Sequence, residues 1–283
     1  MIINRIGVIF DFDETLTSDS TSCFLESLGL DVQKFWKNEV NPLYQKQGWD
    51  PIPAYLYKMI EFSKSSVKNR ITQKKLSEFG KKVKFFNGVQ NIFRQLEQSA
   101  KEVNNTVEVD FFLISSGIRE ILMNTKVTKY FKDIWACDFE YNSKGEIVFP
   151  KNIVSFTDKT RYLFQISKGI FGPDSRLNPF EVNKKVKTED LYIPFNQMII
   201  VGDGYTDIPL FSLITRTGGK AIAVYNPEDK RKWPRAWGFV EEKRVSNLVP
   251  ADYGKKHALN HILTMAVQNL ASKLQLDDTI YQR

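Results

Sequence analysis

Four short stretches carry residues whose types and spacing could do chemistry: Asp11-Phe12-Asp13, Ser115-Ser116-Gly117, Asp158-Lys159-Thr160, and Gly202-Asp203-Gly204-Tyr205-Thr206-Asp207. Carboxylates two residues apart on an extended chain can be turned toward one point. Held together they repel, unless a hard cation such as Mg²⁺ joins them or one keeps a proton. The Asp11/Asp13 pair therefore asks for a metal, for divided roles, or for both. A serine and glycine ending a strand before a helix offer a hydroxyl and backbone N–H groups suited to phosphate. Lys159 falls in the first turn of a helix, where the dipole disfavours a cation, so it calls for an anionic partner. Glycines on either side of Asp203 permit a tight turn, and Asp207 follows one helical turn later. Each stretch alone also has an ordinary reading, as a turn, a helix cap or a solvent-facing lysine.

The elements that must position these groups are legible from apolar patterning. Ile6, Val8, Ile9 and Phe10 form a buried strand leading into Asp11. Residues 18–84 read as helical: Asp19-Ser20 opens a helix that stops at Gly29, and Asp31 caps a second that Asn41-Pro42 interrupts. Pro51 and Pro53 start a third, and a fourth runs over 71–83. An α/β rhythm then resumes, with a helix over 88–103 and a strand over 107–114 that ends at Ser115. A short strand over 134–137 and a hairpin across 142–145 come next. A helix opens at Asp158, an irregular excursion fills 169–194, and strands cover 197–201 and 220–225.

Composition narrows the class. The 283 residues are 42% hydrophobic and 26% charged, enough for a substantial core, and no apolar run has the length of a membrane span. Met1-Ile2-Ile3-Asn4-Arg5 leads straight into the first strand without the regions of a signal peptide, so the expectation is a cytoplasmic protein with no membrane partner. Cys23 and Cys137 stand far apart with no neighbouring Cys/His cluster, and reduced, mostly buried thiols are expected. The net charge of +7 favours anionic ligands, but it is spread over short doublets such as Lys81-Lys82, Lys184-Lys185, Lys230-Arg231-Lys232 and Lys255-Lys256 that read as solvated faces. Nucleic acid is not the expected partner. His257 and His261 lack the glutamate of the helical zinc motif, with Ala258 in its place, and Trp233 and Trp237 read as packing.

Taken together, in order, the motifs DFDETLT, FFLISS, FTDKTRYLF and GDGYTD resemble the haloacid dehalogenase superfamily, in its phosphoserine-phosphatase-like branch. The resemblance covers about 1–17 and 85–250, and implies an α/β fold: a Rossmann-like core of 1–17 and 85–283 with a mostly parallel sheet flanked by helices, and a helical cap domain inserted over 18–84. It implies a phosphatase in which Asp11 attacks phosphorus to form an aspartyl-phosphate. Asp13 would protonate the leaving oxygen and later activate water, its backbone carbonyl helping to hold Mg²⁺. Ser115 and the Ser116 N–H would bind phosphoryl oxygens, and Lys159 would neutralise charge on nucleophile and phosphate. Asp203 would complete the Mg²⁺ site with Asp11, supported by Asp207. The implied substrate is a small phosphorylated metabolite; no oligomeric state is indicated. An acid at Asp13 sets the chain apart from dehalogenases and ion-pumping ATPases of the same superfamily. Passage of the phosphate to an acceptor alcohol, and a non-catalytic module of this fold that binds phosphorylated or nucleic-acid partners, are the competing readings. Asp19-Ser20 stands near the place where phosphoserine phosphatases carry a glutamate for the serine amino group, and Arg70 is the candidate contact for a substrate carboxylate.

Overall fold

The structure, a computed structural model, describes residues 3–228, 237–238, 240–242 and 244–279. Its centre is β1 (Arg5–Phe10), in which Ile6, Val8, Ile9 and Phe10 are at most 1% exposed. A strand buried on both faces needs neighbours along both edges and helices above and below. The edges are met by parallel pairing with β2 (Glu108–Ile118) on one side and β5 (Met198–Gly202) on the other, Phe10 lying level with Leu113 and Val201. Adding β3 (Phe131–Tyr141), β4 (Ile147–Asn152), β6 (Lys220–Tyr225) and β7 (Asn247–Pro250) gives a seven-stranded sheet of order β4-β3-β2-β1-β5-β6-β7. Only the β3–β4 pair is antiparallel.

Between β1 and β2 lie α1 (Ser20–Ser27), α2 (Val32–Lys34), α3 (Asn41–Lys46), α4 (Pro51–Ser65), α5 (Gln73–Gly80) and α6 (Val89–Val103). Later come α7 (Arg119–Met123), α8 (Phe156–Ser167), α9 (Pro173–Leu177), α10 (Ile208–Arg216) and α11 (Ala258–Thr279). Helix α6 packs with α11, and α8 packs with α10, which covers the sheet. Phe10 sits under three rings, Phe93, Phe131 and Tyr253, with centroids 5.8, 6.4 and 6.3 Å away. Such pairs contribute about 0.5–1.5 kcal/mol each beyond burial, so the rings that anchor α6 and the approach to α11 also fix β1.

Several sequence expectations shift. Pro42 does not interrupt the second helix: the turn Phe35–Val40 widens to π geometry, and Pro42 falls at the start of α3, where its missing N–H costs little. The fourth helix is shorter, α5 starting after its Thr72 cap. Strand β2 does not end at Ser115 but continues to Ile118, with its register against β3 shifting between Ile114 and Ile118. Helix α7 therefore starts beyond Gly117, and no helix terminus stands at Ser115. The strand over 134–137 and the first arm of the hairpin are one strand, β3. Cys23 is exposed and only Cys137 is buried. Trp233 and the Lys230-Arg231-Lys232 run lie outside the described residues.

The 18–84 segment leaves and re-enters the sheet at one place. Thr17 bridges Phe85, the Thr17 hydroxyl donates to the Lys84 carbonyl at 2.5 Å, and Phe86 N–H donates to Leu16 O at 2.9 Å. Its far end rests on the β3–β4 hairpin, where Gln73 N–H bonds Gly145 O and Ile147 N–H bonds Ile71 O. The excursion over 169–194 ties to the opposite end of the sheet: Tyr192 Oη donates to Asp110 at 2.6 Å and sits beside Arg5, while Arg176 pairs with Asp133.

Candidate active site

Strand order reverses at β1, and in open parallel sheets the crevice beyond the strand ends at such a switch point is where ligands bind. Asp11 follows the last residue of β1 there, its N–H held by Val201 O at 2.9 Å, and Asp203 follows the last residue of β5. Ser115 comes up on β2, which flanks β1 on the side away from β5. Asp11, Asp13, Ser115, Ser116 and Asp203 line a single cavity of about 570 Å³, together with Gly117, Gly204 and Thr206.

Lys159 explains itself in this setting. Ser155 and Asp158 form a capping box that starts α8, which fixes the lysine one residue later. Its side chain is fully buried, and Nζ donates to Asp11 Oδ2 at 2.8 Å and to Asp207 Oδ1 at 2.7 Å. Burial by itself depresses an ammonium, but the two carboxylates outweigh it and the Lys159 pKa is raised. Burial lifts Asp207 to about 6, with the Lys159 ammonium opposing and Asp11 adding to the rise. The other Asp207 oxygen accepts the Gly204 N–H at 3.1 Å, which closes the turn after β5.

One carboxylate oxygen from each of Asp11, Asp203 and Asp207 falls within 4.8 Å of the other two. Three carboxylates against one ammonium leave two negative charges, the charge of one divalent cation, and all the donors are hard oxygens. The residues present fit Mg²⁺. The Asp13 carboxylate lies outside this group. Its Oδ1 accepts the Ser20 N–H at 2.7 Å, and burial first, then the Asp19 carboxylate, push it up to about 8. The chain turns at once after it, with Glu14 at φ 57°, a left-handed conformation that costs a side-chain-bearing residue about 1 kcal/mol.

One end of the cavity is built from β2. Gly117 N–H donates to Ser115 Oγ at 3.0 Å, leaving the hydroxyl proton for another acceptor. Ser116 Oγ is buried with no hydrogen-bond partner among the described residues. An orphaned buried hydroxyl on a cavity wall is a place where a ligand oxygen belongs.

All seven residues singled out by the motifs are thus brought together. Sequence reasoning missed the wall contributed by the inserted helices: Trp36, Tyr44, Tyr55 and, from α8, Phe156. Tyr55 reaches across to donate to Ser116 O at 2.5 Å. The signal available for it was its place in the first turns of α4, on the face opposite the exposed Tyr57. Arg70 is not on this wall. Its guanidinium bonds Ser63 O and sits 3.5 Å from Glu146 on the hairpin. The 169–194 excursion supplies no lining residue among those described. His257 pairs with Asp252 at 3.2 Å, away from the cavity.

No family model matches the chain. It is 27% identical to an uncharacterized protein of Borreliella burgdorferi, covering 89% of this chain and 93% of that one. A HAD-family hydrolase from Salmonella enterica serovar Typhi superposes with a TM-score of 0.60 at 13% identity, over 94% of this chain and 72% of the other. A substrate-bound phosphoserine phosphatase superposes with a TM-score of 0.53 at 16% identity, over 92% and 98%. With its parallel sheet and the carboxylate-lined crevice at β1, the chain has the fold of the haloacid dehalogenase-type hydrolases, one it shares with phosphoserine phosphatases.

Proposed function

We propose that the protein is a Mg²⁺-dependent phosphatase that hydrolyses a small phosphomonoester through an aspartyl-phosphate on Asp11. The observation that carries this reading is the buried Lys159 ammonium bonded to both Asp11 and Asp207 at the strand mouths, a cation that pre-pays charge neutralisation where a phosphate dianion must approach a carboxylate. The shared fold supports the same class. Phosphoryl transfer asks chiefly for positioning and charge compensation, and this inventory supplies both.

In this reading a carboxylate oxygen of Asp11 attacks phosphorus in line with the ester oxygen. Lys159 holds the Asp11 carboxylate against rotation, and the Phe12 N–H, 2.7 Å from Oδ1, holds its other oxygen. The Ser115 and Ser116 hydroxyls and the Ser116 N–H receive phosphoryl oxygens. Asp13 donates its proton to the departing alcohol, then accepts one from the water that opens the aspartyl-phosphate. Asp11, Asp203 and Asp207, with the Asp13 carbonyl, would hold Mg²⁺, which when bound supplies charge compensation for nucleophile and phosphate. Residues 1–17 and 85–283 are the catalytic core, and 18–84 a cap that shapes the leaving-group side.

The test is phosphate release from a panel of phosphomonoesters with Mg²⁺, with EDTA and Asp11→Asn as controls. Release that needs the metal and disappears in the variant is the expected result. Full activity in Asp11→Asn would rule out the covalent route.

A further inference from the structure

The Ser116 carbonyl and the Gly117 N–H are two ends of one peptide plane, and both are engaged. The carbonyl accepts the Tyr55 hydroxyl of α4 at 2.5 Å, and the N–H donates to Ser115 Oγ at 3.0 Å. The bond is trans and a peptide plane is rigid, so a partner on the carbonyl fixes where the N–H points. Strand pairing offers this plane little else. Pairing of β1 with β2 reaches Leu113, and the register of β2 against β3 slips between Ile114 and Ile118.

Helix α4 is itself set against the core at its first turn. Asp50 caps it by accepting the Ile52 N–H at 2.9 Å, and the other Asp50 carboxylate oxygen accepts the Ser155 hydroxyl, also at 2.9 Å, at the start of α8. One inserted helix is thereby tied to both β2, which carries Ser115, and α8, which carries Lys159. The Tyr55 side chain is buried. Burial first, and the neighbouring Cys137 thiol second, hold its hydroxyl well above the ordinary phenol range, so it stays a donor.

We propose, on the phosphatase reading above, that Tyr55 is a positioning residue for the phosphoryl group: by holding the 116–117 peptide plane it presents the Gly117 N–H to Ser115 Oγ and leaves the Ser115 proton for a phosphoryl oxygen. The inserted helices then set affinity for the phosphate itself and not only for the alcohol. A phosphate with no alcohol attached must register the loss of one tyrosine hydroxyl.

The experiment uses inorganic phosphate, which has no leaving group to touch the aromatic wall. Its dissociation constant is measured by phosphorus NMR titration, with Mg²⁺ present, for the wild type, Tyr55→Phe, Ser115→Ala and the double variant. Tyr55→Phe keeps the ring. It should weaken phosphate about tenfold, the factor that follows when the competent arrangement falls to about one-tenth of the population. Ser115→Ala removes the group through which Tyr55 acts, so adding Tyr55→Phe to it should cost less than about twofold more. A ring that only packs, or a general loosening of the fold, would give the same factor in both backgrounds. Unchanged phosphate affinity in Tyr55→Phe, equal factors with and without the Ser115 hydroxyl, or a wild type that hydrolyses p-nitrophenyl phosphate yet binds no inorganic phosphate would overturn the inference and leave the phosphatase reading standing. A wild type that releases phosphate from no ester, p-nitrophenyl phosphate included, would overturn that reading and the inference with it.

Discussion

A methyl group added at Gly117 would come within 2.5 Å of Asp13 Oδ2, and one at Gly202 within 2.5 Å of Asp207 Oδ2. Neither glycine is held at a positive φ, so the need is space beside a carboxylate and not backbone freedom. Displacing an acid by a fraction of an ångström is costly when reacting atoms must be aligned. Gly117→Ala should lower kcat by about 100-fold with circular dichroism unchanged, and Gly202→Ala should chiefly raise the Mg²⁺ concentration needed for half-maximal activity. Lys159 invites a different measurement. Lys159→Met leaves Asp11 and Asp207 buried without their shared cation, so denaturant unfolding in EDTA should show a loss of roughly 3–5 kcal/mol. An unchanged unfolding midpoint would mean that the pair contributes nothing to the fold. At this scale the sequence was most informative in combination: an aspartate at a strand end and a lysine in a helix's first turn each have an ordinary reading, and their occurrence together with Ser115 and Asp203 is what pointed to the site. Gly117 and Gly202 were harder to interpret, because a glycine in a turn looks the same whether it serves φ or clearance.

Among the elements, α6 begins at Gly88, whose φ of 78° coincides with an approach so close that a Cβ would lie 2.3 Å from the Tyr253 carbonyl carbon. Gly88→Ala should destabilise by more than about 1 kcal/mol, since conformational strain and a backbone clash add, as thermal or urea unfolding would register. Helix α4 is fixed to the core by Tyr55. Removing that hydroxyl strands the Ser116 carbonyl beside the phosphate end, and Tyr55→Phe should cost about 1 kcal/mol while raising KM for the substrate. Capped, strongly patterned elements such as α4, α6 and β1 were legible from the chain alone. The boundaries that moved share a cause, namely tertiary pairing. Strand β2 extends through Ser115-Ser116-Gly117 because β3 continues beside it, and β7 was not anticipated because four residues ending in Pro250 carry too little pattern without β6 as a template. Pro42 misled for the opposite reason, since the widened turn before it removes the clash that normally ends a helix.

For the molecule as a whole, three acidic side chains from two separated stretches of sequence are gathered by the sheet into one small volume with one ammonium, that of Lys159, against two of them. Their mutual repulsion opposes folding, and a divalent ion should relieve it. Adding Mg²⁺ at about 100 times its dissociation constant should raise stability by about 2.7 kcal/mol, seen as an upward shift in Tm that is diminished in Asp203→Asn. An identical shift in both proteins would place the ion elsewhere. The order of the motifs was readable from the sequence, while the aromatic wall was not, because it depends on how the successive inserted helices carrying Trp36, Tyr44 and Tyr55 fold over the crevice to meet Phe156 of α8. The clasp at Thr17, Lys84, Phe85 and Leu16 has an implication for how such a chain can change. The inserted helices depart and return through neighbouring points, so their length and identity can vary without altering the register of β1 against β2 or β5. Two crossovers in a gene, one on each side of the clasp, would exchange Trp36, Tyr44 and Tyr55 and leave Asp11, Asp203 and Asp207 in place, which, on the phosphatase reading, lets selectivity drift while the chemistry is inherited.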